Sequence, residues 1–179
     1  NFNLSSNNVK VPFGDIEAIR RALEADKAIG IVCLETIQGG GGINVARVIS
    51  RFGGDVEALY LAGGEIGSFL DRLLKNEGVR ARRIDVDGQT RIGFVVREQA
   101  TGLEYRFVSE GPVIKADELH SCCDIISSGS WDYVVLSGSL PRGAPEDTYA
   151  RMATCATSRR ARVVLDSSGI ALSAALEKS

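Results

Sequence analysis

The stretch GGGGINVARVISRFGGDVEALYLAGG, residues 39–64, decides the fold class. Its four glycines follow Ala28 to Leu34 (AIGIVCL), a short apolar run rich in β-branched residues and suited to a buried strand. From Ile43 to Phe52 the apolar residues Val45, Val48, Ile49 and Phe52 recur at helical spacing, and Gly53-Gly54 marks the stop. Val56 to Ala62 then reads as a second buried strand, closed by Gly63-Gly64. Strand, glycine loop, helix and strand in that order argue for an α/β domain with a mainly parallel sheet.

The alternation continues in both directions. Asp15 to Ala25 reads as a helix that Asp15 can cap. Ile66 to Asn76 predicts a helix with Phe69, Leu70, Leu73 and Leu74 on one side, and Arg82 to Val86 a short strand. Arg91 to Glu98 and Leu103 to Ser109, joined by the turn Gln99 to Gly102, predict a hairpin that leaves the main sheet as a flap. Ala116 to Ser127 and Glu146 to Ser158 read as helices, Tyr133 to Ser137 and Arg162 to Leu165 as strands, and Ile170 to Glu177 as a last helix. In such sheets ligands collect at the carboxyl ends of the strands. The glycine-rich breaks at 39–42, 63–64 and 138–143 fall there.

Composition narrows the function. A chain of 179 residues can bury a real core. A net charge of −2 supplies neither the basic field that nucleic acid requires nor an acidic tail. No run of eighteen uncharged apolar residues is present to span a membrane, and Asn1 to Pro12 lacks the pattern of a signal peptide. The expected location is cytoplasmic. Cys33, Cys122, Cys123 and Cys155 have no spacing that suits zinc or a disulfide framework, so they read as buried or incidental thiols. His120 is the only histidine and sits in a polar, helical stretch, where it reads as a solvated surface residue.

Four segments can carry chemistry. The junction Gly39 to Ala46 offers backbone N–H groups backed by a helix's positive end, and Asn44 adds an amide suited to hydroxyls. The same glycines would also serve a plain turn, and they match neither common nucleotide-loop spacing. Arg91, after Thr90, could hold a sugar phosphate with its fork of donors or simply be a solvated strand-end arginine. Ser137-Gly138-Ser139-Leu140-Pro141 places small hydroxyls at the ligand edge, or forms an ordinary turn. Asp166-Ser167-Ser168-Gly169 reads as a helix cap or as the edge of a nucleotide or metal site.

Residues 39–64, Thr90-Arg91, EYRFVSEGP (104–112), SGSLPRGAP (137–145) and LDSSGIALSAAL (165–176), in this order and spacing, resemble the ribokinase-like (PfkB) sugar kinases, in particular the 6-phosphofructokinase type. The resemblance implies a ribokinase-like α/β fold, incomplete at both ends, with residues 91–109 as a β-hairpin lid. It implies that Gly40, Gly41 and Asn44 touch the sugar, that Arg91 holds the phosphate of fructose 6-phosphate, and that Ser139 borders the sugar. It further implies magnesium–ATP as the phosphoryl donor and a homodimer formed through the lid.

Both ends depart from that pattern. Residues 1–38 resemble a class III aminotransferase segment of the ornithine and acetylornithine type, giving a division into 1–38 and 39–179 that looks like a fusion at the glycine run. No pyridoxal phosphate chemistry is expected, because that family's cofactor lysine and aspartate lie outside those residues. The family's G-A-G-D segment, which carries the general base and anion hole, is not found before Ser179. No catalytic residue and no metal ligand is therefore assigned. The expectation is a phosphofructokinase-like chain inactive in this form, or else a non-catalytic remnant that binds a sugar phosphate or associates with another chain.

Overall fold

A computed structural model describes residues 29–33, 40–97 and 104–177 of the chain. Five parallel strands form the main sheet: β1 (Ile29–Cys33), β2 (Val56–Ala62), β3 (Ala81–Asp85), β6 (Tyr133–Ser137) and β7 (Arg162–Asp166), in the order β3-β2-β1-β6-β7. Between β3 and β6 the chain makes the antiparallel pair β4 (Gly93–Arg97) and β5 (Glu104–Val108), a separate sheet. The expected flap is thus present, with its turn outside the described residues. The helix expected over Asp15 to Ala25 also lies outside them.

β1 is the central strand, in register with β2 (Ile29 opposite Val56) and with β6 (Ile29 opposite Tyr133). The segment expected to be foreign thus contributes the middle of the sheet. From β1 the chain winds outward to β2 and β3, then crosses to the other side of β1 for β6 and β7. That reversal opens a crevice between the carboxyl ends of β1 and β6.

Helices cover both faces. On one lie α1 (Gly41–Arg51) and α2 (Gly64–Asn76), whose Ile43, Ala46, Ile49, Leu70 and Leu74 pack with Ala58, Tyr60, Ala62 and Val135. On the other, α3 (Ala116–Ser128), α4 (Thr148–Thr157) and α5 (Gly169–Glu177) pack on Leu59, Leu61, Val134 and Leu136. The alternation of β2 residues between the two clusters explains its unbroken apolar run: both faces are covered.

In two helices part of the expected apolar face is exposed, while Ile49, Leu70 and Leu74 are buried as expected. In α1, Val48 is 49% exposed and Phe52, past the helix end, is 73% exposed. Ile49 faces the sheet as expected, together with Ile43 and Ala46, a row at i, i+3 and i+6 in which small Ala46 brings the backbone close. In α2, Phe69 is partly exposed beneath the Arg72 guanidinium, 5.7 Å from the ring centroid.

Candidate functional site

The glycine-rich breaks lie at the carboxyl edge of the sheet, and two groups of contacts shape it. The first straddles the crevice. Ser137, the buried last residue of β6, donates its hydroxyl to Asp166 Oδ2 at 3.1 Å, joining the ends of β6 and β7. Gly41, at the start of α1, lies directly against that hydroxyl: a Cβ there would sit 2.3 Å from Ser137 Oγ and 3.7 Å from Asp166 Oδ2. Only a residue without a side chain allows this approach. Gly40 is the N-cap of α1 and makes no side-chain capping bond, and Gly41 next to it begins the helix against the Ser137–Asp166 pair. Asn44, an exposed residue one turn on, accepts a hydrogen bond from Arg47 Nη1 at 3.1 Å.

The loop after β6 is pinned at Gly138. Its N–H donates to the Asp166 carbonyl at 3.0 Å, and its own carbonyl accepts from Tyr149 Oη at 2.9 Å and Ser167 Oγ at 3.0 Å. Ser139 follows as an exposed residue on this fixed base.

The second group lies at the β2–β3 end. The chain leaving β3 crosses the start of α2 so closely that a Cβ on Gly63 would meet the Val86 and Gly88 carbonyl oxygens, each at 2.3 Å. Thr90, only 6% exposed, closes the corner. Its hydroxyl accepts from Gly63 N–H at 2.9 Å and donates to the Gly63 carbonyl at 3.2 Å, to which its own N–H also donates at 3.1 Å. Arg91 follows, half-buried, with its aliphatic stem beside Gly111. Ile92 and Ser109 join the two legs of the flap through the Ser109 N–H and hydroxyl.

The legs are anchored below. The buried Glu118 carboxylate accepts from Asp87 N–H at 3.2 Å and Lys115 N–H at 2.6 Å, tying the entry and exit segments together. The Lys115 ammonium beside Asp87 holds that exposed carboxyl below its usual range. Ile114 N–H donates to the Arg142 carbonyl at 2.7 Å, and Arg142 pairs with Glu110, so the exit leg also rests on the loop that carries Ser139.

The structure thus places Gly40, Gly41, Asn44, Arg91 and Ser139 along one edge of one sheet, on segments leaving β1, β3 and β6. It brings Gly41 against Ser137 and Asp166, whereas Arg91 belongs to the corner fixed by Thr90 and Gly63. Ser137, Asp166 and Thr90 carry no individual role in the sequence reading, although each lies within a segment that it singles out. His120 is exposed on α3, as expected. Cys122 is buried in the core, with its thiol pushed up to about 12 by burial. Among the described residues, no group of three or more His, Cys, Asp or Glu could hold a metal ion, and no helix is long and apolar enough to cross a membrane.

Comparison with known proteins agrees with this architecture. The family model for pfkB family carbohydrate kinases matches residues 13–178. The ATP-dependent 6-phosphofructokinase isozyme 2 of Mycobacterium tuberculosis (strain ATCC 25618 / H37Rv) is 43% identical over 133 residues, covering 73% of this chain and 39% of the relative. That of Escherichia coli (strain K12) is 39% identical over 139 residues, covering 77% and 45%. The chain therefore spans less than half the length of these relatives. Among solved structures, phosphofructokinase-2 from Escherichia coli in complex with fructose-6-phosphate superposes with a TM-score of 0.78 at 32% identity, over 86% of this chain and 59% of that one. The tetrameric inhibited form of the same enzyme gives 0.76, over 84% and 58%. The aminotransferase resemblance of residues 1–38 finds no support, since the kinase family model already takes in residue 13 onward.

Proposed function

We propose, since the chain belongs to the pfkB family of carbohydrate kinases, that it forms the sugar side of an ATP-dependent phosphotransferase site for fructose 6-phosphate. The observation that carries this reading is the crevice at the β1–β6 reversal, where Gly41 backs onto the Ser137–Asp166 pair. Backbone N–H groups of Gly40 and Gly41 and the Asn44 side chain would take the sugar hydroxyls. Ser139 would border the ring. Arg91 would hold the 6-phosphate through two parallel N–H donors, and the flap would close over the sugar to exclude water.

In the proposed reaction the γ-phosphoryl of ATP passes to the sugar's 1-hydroxyl with cleavage of the bond to the β-phosphate oxygen, giving fructose 1,6-bisphosphate, ADP and a proton. ATP as donor is supported by the names of the relatives. Among the described residues no group of three or more His, Cys, Asp or Glu gathers, and no step is routed through a magnesium ion. The sequence contains no G-A-G-D segment, and no residue here is given the role of general base. The residues named here would bind and orient the sugar phosphate, and binding and orientation supply much of the rate in phosphoryl transfer.

Pairing with a second copy through the flap belongs to the same proposal. Neither β4 nor β5 pairs with the main sheet among the described residues, and an isolated two-stranded sheet is marginal in water.

Titrating ¹⁵N-labelled chain with fructose 6-phosphate tests the reading. Saturable shifts at Gly41, Asn44, Arg91 and Ser139 are expected. An unchanged spectrum at millimolar ligand would refute the reading. A coupled assay with ATP then reports whether binding leads to turnover.

A further inference from the structure

We propose that Thr90 is a positioning residue for Arg91 and so sets the preference for a phosphorylated over an unphosphorylated sugar. This inference rests on the fructose 6-phosphate reading and on the role that reading gives Arg91.

The flap has to move if it is to admit and cover a ligand, yet an arginine that recognises phosphate has to keep its fork aimed. The corner reconciles the two demands by placing the fixed point before Arg91. Thr90 is buried to 6% exposure, unusual for a polar residue on a loop that joins a sheet to a flap. Its hydroxyl both accepts from and donates to the Gly63 backbone, at 2.9 and 3.2 Å, and its N–H adds a bond of 3.1 Å to the Gly63 carbonyl. Gly63 belongs to the rigid junction of β2 and α2, so these bonds tie residue 90 to the main sheet.

The hydroxyl has a task that apolar packing cannot perform. Gly63 is the N-cap of α2 and has no side chain with which to satisfy nearby backbone groups. Thr90 Oγ1 supplies the acceptor for the Gly63 N–H. Just beyond Arg91, Ile92 bonds to Ser109 on the other leg of the flap rather than to the sheet. Glu118 holds the outer ends of the legs at Asp87 and Lys115, on the far side of Thr90 from Arg91 in the entry leg. Thr90 is thus the last residue of the entry leg bonded to the body before the arginine.

The test measures affinities of the full chain for fructose 6-phosphate and for fructose by ligand-observed NMR, with melting temperature as a check on folding. Thr90→Val keeps the shape and removes the hydroxyl; Thr90→Ser keeps the hydroxyl. Thr90→Val is expected to weaken fructose 6-phosphate binding about 10-fold, in the direction of Arg91→Ala, with fructose binding changed by less than about 2-fold. Thr90→Ser should stay within about 3-fold of the parent for both sugars.

The inference is overturned if Thr90→Val retains parental affinity for fructose 6-phosphate while Arg91→Ala loses it, an outcome that leaves the proposed function standing. It is equally overturned if Thr90→Val weakens both sugars alike, which marks a merely structural role. Should Thr90→Val not fold, a 10-fold loss of fructose 6-phosphate affinity in well-folded Thr90→Ser overturns the inference, because the hydroxyl is still present. An Arg91→Ala chain that binds both sugars as the parent does removes the underlying reading as well.

Discussion

The Ser137 hydroxyl donates to Asp166 Oδ2 at 3.1 Å, and the space above that bond belongs to Gly41. Three segments far apart in sequence thus close on one point at the carboxyl edge of the sheet. Gly41→Ala would force its Cβ to 2.3 Å from Ser137 Oγ, while Ser137 Cβ stays at 3.6 Å. The variant should lose about 1–3 kcal/mol of stability and bind fructose 6-phosphate more weakly. In the double variant with Ser137→Ala the clashing oxygen is gone, so the two costs should be clearly less than additive. Strictly additive urea-melt energies would contradict the contact.

Gly63→Ala presents a harder case, because the obstacles are the backbone carbonyls of Val86 and Gly88 rather than a side-chain tip. The loop from β3 must lift, and the Thr90 bonds lift with it. A loss of about 2 kcal/mol or more is expected, with raised amide exchange over residues 86–92. Parental stability and exchange would show that the crossing is looser than described.

Much of this arrangement was legible from residue patterns. β2 and β6 match their expected ranges because strands covered on both faces read as unbroken apolar runs between glycine stops. The face of α1 was less legible: Ile49 is buried as read, but Val48 and Phe52 are exposed and Ile43 and Ala46 join the core. The Ser137–Asp166 and Gly63–Thr90 contacts span 29 and 27 residues, and no local periodicity records such pairings.

Alkaline pH should weaken the fold. Burial pushes the Cys122 thiol, and burial with the Cys155 bond the Cys123 thiol, from 9.0 to about 12. Burial, then the hydrogen bond and charge of Asp71, raise Tyr60 above its ordinary 10.0. Below pH 9 the folded and unfolded chains both hold the thiol protons. Above it the unfolded chain releases them first, so stability falls as pH rises toward the folded values. Urea melts should show a decline on the order of 1 kcal/mol per pH unit above pH 9, with a shallower slope for Cys122→Ala. A flat profile from pH 8 to 11 would contradict this assignment.

The most direct test of the sugar-phosphate site is calorimetric titration of fructose 6-phosphate into the parent chain and into Arg91→Ala. Saturable binding to the parent, weakened about 10-fold or more by the substitution while the melting temperature holds, is the expected result. No saturable binding to the well-folded parent, or equal affinity in the two chains, would contradict it.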